Sequence, residues 1–407
     1  MLKIRSIDII EPKPVGGMRV VVARVNSSDG VYGLGEIGCA IGMGATAARE
    51  FIKDIAPTLI GMDPLETEVI WEKMYRSSFW GIGGGAVVCS AISAIDTALW
   101  DLKARYFGVP LYVLLGGRQR DKLRAYASQL QMGWGIGEFD AFAAPMSMAE
   151  ACKRAIDEGY TAVKANILGM SEEHRRRHPL DTLCTLTSRV LDTAEARLAE
   201  MREAVGPKVD IILENHAITD ANTAIQFSRM AEKYNVLFLE EPTTPLGPGN
   251  FRRIAENTSI PLATGERTYL RQGFLPLLES GALSVIQPDV GNCGGVTEFK
   301  KIADMAYCYD AGVQCHTCSG PISVAVALQC EAAIPNFIIH EHHQCNLTHS
   351  NIKLCKYDYQ PVNGRFKVPD LPGLGQELSD FVLNDRENVR KVSIDGGKTM
   401  WNMAEIR

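Results

Sequence analysis

The chain has 407 residues, of which 46% are hydrophobic and 22% are charged, and its formal net charge is −6 at pH 7. This balance indicates a folded globular protein, and the length allows one barrel of roughly 250 residues together with a smaller domain. The acidic charge, and the lack of any basic block longer than Arg175-Arg176-Arg177, argue against nucleic-acid binding.

The sequence also bears on location and redox state. The N-terminus, MLKIRSIDII, lacks a charged region before a long apolar stretch, and no apolar run approaches about 18 residues. We therefore expect no membrane association and a cytoplasmic location. The eleven cysteines are scattered and odd in number, which favours reduced thiols. Cys315 and Cys318 form a C-x-x-C, but without a second pair it is a weak indication of a redox or zinc site.

Residues 1–124 are predicted to form an α+β capping domain. The segments IRSIDII and MRVVVARVNSSDGVYGLGEI alternate in the manner of strands, with a turn at Ser27-Ser28-Asp29-Gly30. Helical patterns follow in ATAAREFIKDIAPTLI, PLETEVIWEKMY and AVVCSAISAIDTALWDLKARYFG. Strands followed by a block of helices predict a compact α+β domain.

Residues 125–345 are predicted to form a catalytic α/β barrel. Amphipathic helices alternate with short apolar strands, namely RAYAS, YTAVK, VDIIL, VLFL, IPLAT, LSVI, GVQC and FIIH. This alternation implies parallel pairing, because a parallel return needs a crossover. Eight such strands predict a (β/α)7β TIM-like barrel. A doubly wound open sheet is the alternative, disfavoured because no glycine-rich dinucleotide fingerprint follows the first strand. Residues 346–407 lose this rhythm and are predicted to return to the capping domain.

The residues that end the barrel strands are nearly all ionisable. They are Lys164, Glu214 with His216, Glu240, Glu266, Asp289, His316 and Glu341. From Glu214 onward the intervals are 26, 26, 23, 27 and 25 residues, about the length of one strand, one helix and two loops. Each unit therefore delivers one such group to the C-terminal face, where barrel enzymes carry their active sites. Charges also end strands because loops are polar, but that does not account for six in succession.

Glu214, Glu240 and Glu266 are predicted to bind one divalent cation. Carboxylates that converge from successive strands repel one another, which raises their pKa values unless a cation lies among them. An oxygen-rich set with room for water and substrate favours Mg²⁺, with Mn²⁺ as a substitute. Zinc is disfavoured because the cluster lacks the His and Cys ligands that it prefers.

Two histidines accompany these carboxylates. Asp289 and His316 end adjacent strands, so the carboxylate can bind one imidazole nitrogen and leave the other to act as a general base. His216 lies two residues beyond Glu214, so if the strand continues, both side chains face the metal site. His216 is a candidate acid for a leaving group, and a structural or substrate-contact role stays open.

On these residues the chain resembles the enolase superfamily, in its mandelate racemase-like branch. The resemblance covers most of the chain and is carried by LFLEEPTTP, ATGERTYL, IQPDVGNCGGVTEFKKIADMA and VQCHTCSGPIS. The GER motif and the pattern Glu214-x-His216 look most like sugar-acid dehydratases of the galactonate dehydratase type. The resemblance implies the same three Mg²⁺ ligands and the same base dyad, and it places Glu341 near the enolate oxygen.

The chain departs from the branch at two positions. The first metal ligand is usually Asp there, and Glu214 is one methylene longer. Racemases and epimerases of the branch resemble K-x-K where this chain has Lys164-Ala165-Asn166. Asn166 cannot abstract a proton, so chemistry with one base is favoured.

The expected reaction is Mg²⁺-dependent removal of the proton alpha to a carboxylate, followed by beta-elimination of water from a sugar acid. His316 would remove the proton, His216 or His316 would assist the leaving hydroxyl, and Lys164 would help neutralise the substrate carboxylate. The product would be a 2-keto-3-deoxy sugar acid. By family analogy, residues 16–18 and 77–85 are expected to act as lids, and residues 174–183 as a loop over the barrel mouth. The resemblance also implies a homo-oligomer.

Three other functions stay open. A racemase, epimerase or cycloisomerase of the same superfamily would share the metal and the base. A Schiff-base aldolase would use Lys164, since a lysine at a strand end can form an imine. A non-catalytic protein that binds sugar acids would keep the barrel without turnover.

Overall fold

The structure is a computed structural model that describes residues 2–14, 18–135, 137, 146–171 and 177–396. Three predicted features therefore fall partly outside the described residues. These are residues 16 and 17 of the first expected lid, residues 174–176 of the loop expected over the barrel mouth, and residues 397–407 of the C-terminal segment.

The N-terminal part of the chain forms an antiparallel sheet with helices on one side. Its strands are β1 (Ile4–Pro12), β2 (Val22–Ser27) and β3 (Tyr32–Glu36), and its helices are α1 (Ala45–Ile55), α2 (Thr67–Ser77), α3 (Ala86–Tyr106) and α4 (Leu111–Leu114). The predicted turn at residues 27–30 joins β2 to β3. A separate apolar core, which includes Ile7, Val25, Ile52, Ile92 and Leu99, lies between the sheet and the helices.

Helix α3 packs directly on the backbone of β3. A Cβ atom added to Gly33 or to Gly35 would lie 2.0 Å from the carbonyl oxygen of Ala98 or Ala94, respectively. Only glycine allows so close an approach. The glycines of β3 therefore explain why α3, the longest helix of this part, is buried along most of its length.

Eight parallel strands form the barrel. They are β4 (Lys122–Ser128), β5 (Ala162–Ala165), β6 (Asp210–Glu214), β7 (Val236–Glu240), β8 (Leu262–Thr264), β9 (Leu283–Ile286), β10 (Gly312–Val313) and β11 (His340–His343). They pair in chain order from β4 to β10, and β11 pairs with β4. A parallel bridge between Val313 and Phe337 links β10 to the segment before β11 and so completes the ring.

Seven helices connect these strands. They are α5 (Met148–Asp157), α6 (Ser188–Val205), α7 (Ala221–Ala231), α8 (Pro248–Ala255), α9 (Leu270–Glu279), α10 (Gly295–Tyr307) and α11 (Pro321–Ala332). The predicted (β/α)7β barrel with a capping sheet and helices is confirmed. The eighth strand begins at His340, whereas the sequence predicted residues 337–340, because Phe337 bonds to β10 before the chain reaches the edge of β4.

The barrel interior follows the two-residue period of the strands. One apolar layer holds a single side chain from each of seven strands or their approaches, namely Tyr126, Ala162, Ile212, Phe238, Ala263, Val285 and Ile339. Their neighbours in the chain, such as Leu213 and Leu239, point outward into the core beneath the helices. A residue two positions after an interior residue therefore also faces inward, one layer nearer the C-terminal mouth.

The chain after the barrel pairs with both parts of the protein. It contains α12 (His349–Ile352), β12 (Arg365–Lys367), α13 (Asp380–Asn384) and β13 (Val389–Ile394). Strand β12 pairs antiparallel with β4, and β13 pairs antiparallel with β1. Within the described ranges, every helix is too short or too polar to cross a membrane.

Candidate active site

A buried lysine lies at the centre of the strand ends. Lys164 lies two residues after interior Ala162, and its Nζ lies 2.9 Å from both oxygens of Glu240, 2.9 Å from Glu341 Oε1 and 3.3 Å from Glu214 Oε2. An ammonium has three protons, so these carboxylates use its full capacity. The lysine was predicted to neutralise a substrate carboxylate, but its contacts in this structure are to glutamates of the protein.

The carboxylates crowd one another as the strand spacing predicted. Glu214 and Glu240 pair directly across β6 and β7. Burial, together with the charges of Glu214 and Glu341, raises the pKa of Glu240 to about 8 in spite of Lys164. Burial also acts to raise the pKa of Glu341, but the positive charges of Lys164, His316 and His343 together outweigh it and lower this pKa to about 2. The single positive charge of Lys164 therefore does not neutralise the three carboxylates around it.

Three groups lie close enough to share a cation. Ligand atoms of Glu214, His216 and Glu266 all lie within 4.8 Å of one another. Glu266 follows Gly265, where a Cβ atom would lie 2.5 Å from the backbone of Gln287, so glycine allows this turn to approach β9. The structure thus brings two of the three predicted metal ligands together, while the third, Glu240, faces Lys164 instead. The excess of carboxylate oxygens and the raised pKa of Glu240 fit a hard divalent cation.

His316 lies between two carboxylates. Its Nδ1 is 2.7 Å from Asp289 Oδ2, as the adjacent strand ends predicted, and its Nε2 is 3.0 Å from Glu266 Oε2. Gly291 N donates to the other oxygen of Asp289 at 2.7 Å, which holds the carboxylate in place. Burial acts to lower the pKa of His316, but Asp289 and the charge of Glu341 raise it to about 10. A cation among these carboxylates would cancel much of that negative charge, which a neutral base requires.

His216 lies beside Glu214 as predicted, but not because strand β6 continues to residue 216. Strand β6 ends at Glu214, and His216 has a left-handed backbone conformation with φ of 48°. Such a conformation is costly for a residue other than glycine and is concentrated at functional sites. The turn nevertheless brings Nε2 of the ring to 2.6 Å from Glu214 Oε1.

Family models match most of the chain. The model described as enolase C-terminal domain-like matches residues 147–382, and the N-terminal domain model of mandelate racemase and muconate lactonizing enzyme matches residues 11–116. The chain belongs to the enolase superfamily. The resemblance drawn from the sequence is confirmed.

Relatives of this enolase-superfamily protein cover nearly its whole length. A D-galactonate dehydratase from Variovorax paradoxus (strain S110) is 34% identical over 367 residues, which are 89% of each chain. A solved enolase-superfamily structure from Salmonella Typhimurium is 46% identical, has a TM-score of 0.91 and covers 97% of this chain and 100% of its own. The 3,6-anhydro-D-galactonate cycloisomerase from Zobellia galactanivorans is 26% identical, with a TM-score of 0.76 over 92% of this chain and 97% of its own.

Several polar residues at the site of this superfamily member were not among the site residues predicted from the sequence. Arg267, in the GER motif, contacts both Glu266 and Glu241. Ser128 Oγ donates to Glu341 at 2.7 Å, and Gln129 Nε2 donates to Glu214 at 2.7 Å. Ser128 is two residues after interior Tyr126, so the strand period was a signal that could have revealed it. Gln129 follows in a left-handed turn, and nothing in the sequence marks it.

A second group of possible ligands lies beside the active site of the protein. Atoms of Cys318, His343 and Cys345 lie within 4.8 Å of one another, and all eleven cysteines of the chain are unbridged. The backbone nitrogen of Cys345 donates to His343 Nδ1 at 3.0 Å, which leaves the proton of a neutral ring on Nε2. A metal bound at Nε2 would have to displace that proton. The tautomer therefore argues against a zinc site at these three residues, which are not the C-x-x-C pair of Cys315 and Cys318 noted in the sequence.

Proposed function

We propose that this protein is a Mg²⁺-dependent dehydratase of sugar acids. It would remove the proton alpha to the carboxylate, expel a beta-hydroxyl as water and form a 2-keto-3-deoxy sugar acid. The observation that supports this most is His316, oriented by Asp289 and directed at Glu266 beside Glu214 and His216. The similarity to D-galactonate dehydratase over 89% of both chains supports the same choice.

Glu214, Glu240 and Glu266 would hold the cation, with Mn²⁺ as a substitute for Mg²⁺. When bound, the cation supplies positive charge beside the substrate carboxylate, where a second negative charge develops as the proton leaves. The three glutamates, which end or closely follow three consecutive barrel strands, would set its place. Lys164 adds one positive charge beside Glu214 and Glu240, and Glu341, bound to Lys164 and Ser128, is proposed to lie near the enolate oxygen.

His316 would act as the base. The bond from its Nδ1 to Asp289 fixes the ring and aims Nε2 into the site, where it would take the alpha proton. The hydroxyl on the neighbouring carbon then leaves as water with a proton from His216 or from His316. Asn166, at the position of the second lysine of racemases, offers no second base.

A cycloisomerase of the same superfamily is the second candidate, because a cycloisomerase is among the similar structures. It would share the proton abstraction and differ in the group that leaves. An aldolase that uses Lys164 is disfavoured: three glutamates raise the pKa of Lys164 well above its ordinary value against the effect of burial. Imine formation needs a neutral amine.

The test is a screen of aldonic and aldaric acids with Mg²⁺, read by formation of a 2-keto acid. We expect turnover of at least one acid, loss of turnover with chelator, and loss of turnover in His316→Asn. Exchange of the alpha proton with solvent deuterium without any keto acid would favour the racemase or cycloisomerase. Trapping by borohydride at Lys164, with no effect of chelator, would overturn the proposal in favour of an aldolase. Binding of Mg²⁺ and sugar acids with neither exchange nor turnover would indicate a non-catalytic protein.

We further propose, from the resemblance, that the protein is a cytoplasmic homo-oligomer. Light scattering on the purified chain tests the oligomeric state. A mass equal to one chain of 44.6 kDa would contradict it.

A further inference from the structure

Two cysteines from neighbouring strand ends lie close together beside the active site. Cys318 lies between β10 and α11, and Cys345 lies just after β11. Their sulfur atoms lie within 4.8 Å of each other and of a ring nitrogen of His343. Residue Cys318 is partly exposed, whereas Cys345 is only 1% exposed. Solvent therefore reaches one residue of the pair, and the other is shielded by the protein.

Hydrogen bonds join the two segments that carry these cysteines. The carbonyl oxygen of Ser319, the residue after Cys318, accepts from Asn346 Nδ2 at 3.1 Å and from Asn351 Nδ2 at 3.3 Å. Asn351 Nδ2 also donates to the carbonyl oxygen of Cys345 at 3.1 Å. Both asparagines are buried, so water does not compete for these bonds. The fold therefore holds the two thiols within reach of each other, and rotation of their side chains can bring the sulfur atoms together.

The pair is in its reduced form in the structure. A hydrogen bond with Cys345, followed by burial, raises the pKa of the Cys318 thiol well above its ordinary value, although His343 acts to lower it. A protonated thiol reacts with oxidants more slowly than a thiolate does. We therefore expect the two thiols to persist under reducing conditions and to react only when an oxidant is in excess.

We propose that Cys318 and Cys345 form a redox-active dithiol whose oxidant is a hydroperoxide. With hydrogen peroxide, the sulfur of Cys318 attacks one oxygen and the oxygen–oxygen bond breaks with its electron pair on the other oxygen. That oxygen takes the thiol proton and leaves as water, and Cys318 becomes a sulfenic acid. The sulfur of Cys345 then attacks the sulfur of Cys318, and the sulfur–oxygen bond breaks with its electron pair on oxygen.

A second water carries away that oxygen with the proton of Cys345, so the product is a disulfide. The two thiols lose two electrons in all, and one hydrogen peroxide gains them and becomes two waters. A thiol reductant reverses the reaction by exchange at the disulfide. The site therefore cycles between a dithiol and a disulfide without consuming any other group of the protein.

Cys345 has the role of a resolving cysteine for Cys318. Cys318 lies two residues after His316, the proposed base. A sulfenic acid without a thiol partner is oxidised further to a sulfinic acid, which thiol reductants do not restore. The disulfide stops the oxidation at a reversible stage and keeps a permanent negative charge away from the proposed base. This inference does not depend on the proposed function, because neither step uses a cation or a sugar acid.

The test is treatment of the folded full chain with hydrogen peroxide, followed by blocking of the remaining thiols in denaturant and cleavage after glutamate. Such cleavage places Cys318 in residues 299–331 and Cys345 in residues 342–377. By mass spectrometry we expect these two peptides to be joined, with a loss of two hydrogen atoms from their summed mass. Dithiothreitol should separate them. Absence of the joined peptides after oxidation would overturn the proposal.

Variants assign the bond, because both peptides contain other cysteines. Cys318→Ser and Cys345→Ser should each abolish the joined product. Cys308→Ser is the matched control, because Cys308 is exposed and lies in the same peptide as Cys318, and it should keep the product. A joined product that persists in Cys318→Ser, or one that is lost in Cys308→Ser, would overturn the assignment. The product of the wild type is measured without any variant, so misfolding of a serine variant does not hide it.

Two further measurements separate a resolving cysteine from other roles. In Cys345→Ser, Cys318 should gain two oxygen atoms that dithiothreitol does not remove, and a Cys318 that stays reduced there would contradict the role of Cys345. Metal analysis of the purified wild type should find no zinc released when the thiols are blocked. Release of one zinc ion per chain would overturn the proposal in favour of a metal site at Cys318, His343 and Cys345.

Discussion

Asp96 of α3 accepts hydrogen bonds from both the backbone nitrogen of Thr297, at 2.9 Å, and its hydroxyl, at 2.6 Å. Thr297 lies in the first turn of α10, whose preceding residue, Gly294, has no side chain to cap the helix. Ser93 of α3 accepts from Gly294 N at 2.9 Å. Helix α3 of the N-terminal part thus accepts hydrogen bonds from free N–H groups at the start of the barrel helix α10, where a negative charge is favourable. This contact joins the two parts of the protein.

The Asp96 contact predicts a stability that depends on pH. Burial raises the pKa of Asp96 from 3.8 to about 7, against the hydrogen bonds from Thr297 that lower it. Because the pKa of the folded protein is the higher one, the stabilising contribution is complete below about pH 4 and is lost as the pH rises through about 7. Asp96→Asn should therefore have a lower free energy of unfolding than the wild type near pH 5. The difference between the two should become smaller toward about pH 8. Urea unfolding at several pH values measures it.

Ser93→Ala serves as the control for this prediction. It removes a hydrogen bond at the same contact but no titratable group, so its deficit in unfolding free energy should stay constant over the same pH range. A constant deficit in Asp96→Asn as well would contradict the assigned pKa.

The approach of α3 to β3 predicts a large effect of one methyl group. In Gly35→Ala the new Cβ would meet the carbonyl oxygen of Ala94 at 2.0 Å, and backbone on both sides prevents relief. We expect a loss of about 3 kcal/mol or more in unfolding free energy, at the upper end of overpacking costs. Gly249→Ala in α8, where nothing lies within 4 Å, is the matched control and should be neutral or stabilising. Equal stability of the two variants would refute the close contact.

The buried lysine predicts a stability that depends on metal. Lys164→Met leaves Glu214, Glu240 and Glu341 without their shared cation, and breaking a buried ion pair in this way costs about 3–5 kcal/mol. Added Mg²⁺ or Mn²⁺ should recover part of that loss. Thermal unfolding in chelator and in excess metal measures both effects.

Lys233→Met is the comparison for Lys164→Met, because the pair between Lys233 and Glu195 is largely exposed. Lys233→Met should lose far less unfolding free energy than Lys164→Met, because water screens the exposed pair, and its stability should not respond to metal. If Lys164→Met melted like the wild type in chelator, the charge balance drawn for the site would be wrong.

Arg267 is predicted to position a metal ligand. It contacts Glu266 and Glu241, so in Arg267→Met the carboxylate of Glu266 would lose its orientation. We expect the affinity for Mn²⁺ to fall by about 10-fold to 100-fold, as for other residues that orient ligands. Titration followed by electron paramagnetic resonance measures free Mn²⁺. Arg271→Met, which removes a partner of Glu298 at 3.0 Å, should leave the affinity unchanged. A wild-type affinity in Arg267→Met would contradict the prediction.

The strand pattern alone was enough to predict the barrel and the side of the barrel that carries the chemistry. Side chains alternate along a strand, so Ile212 and Phe238 inside the barrel imply that Glu214 and Glu240 also face inward. The regular spacing of strands then places these groups at one mouth. Both arguments use only neighbours in the chain, which is why the sequence was sufficient for them.

Only the tertiary structure decided which partners these groups have. Lys164 and Glu341 are distant in sequence, as are Gln129 and Glu214, which are 85 residues apart, and Asp96 and Thr297, which are 201 apart. These pairs meet because the barrel closes and the cap docks on it. Contacts of this kind depend on register and on turns such as those at Gln129 and His216, whose left-handed conformations local sequence does not indicate. The two-residue period of the strands therefore determines which way each side chain points, whereas its hydrogen-bond partners are determined by closure of the barrel and docking of the cap.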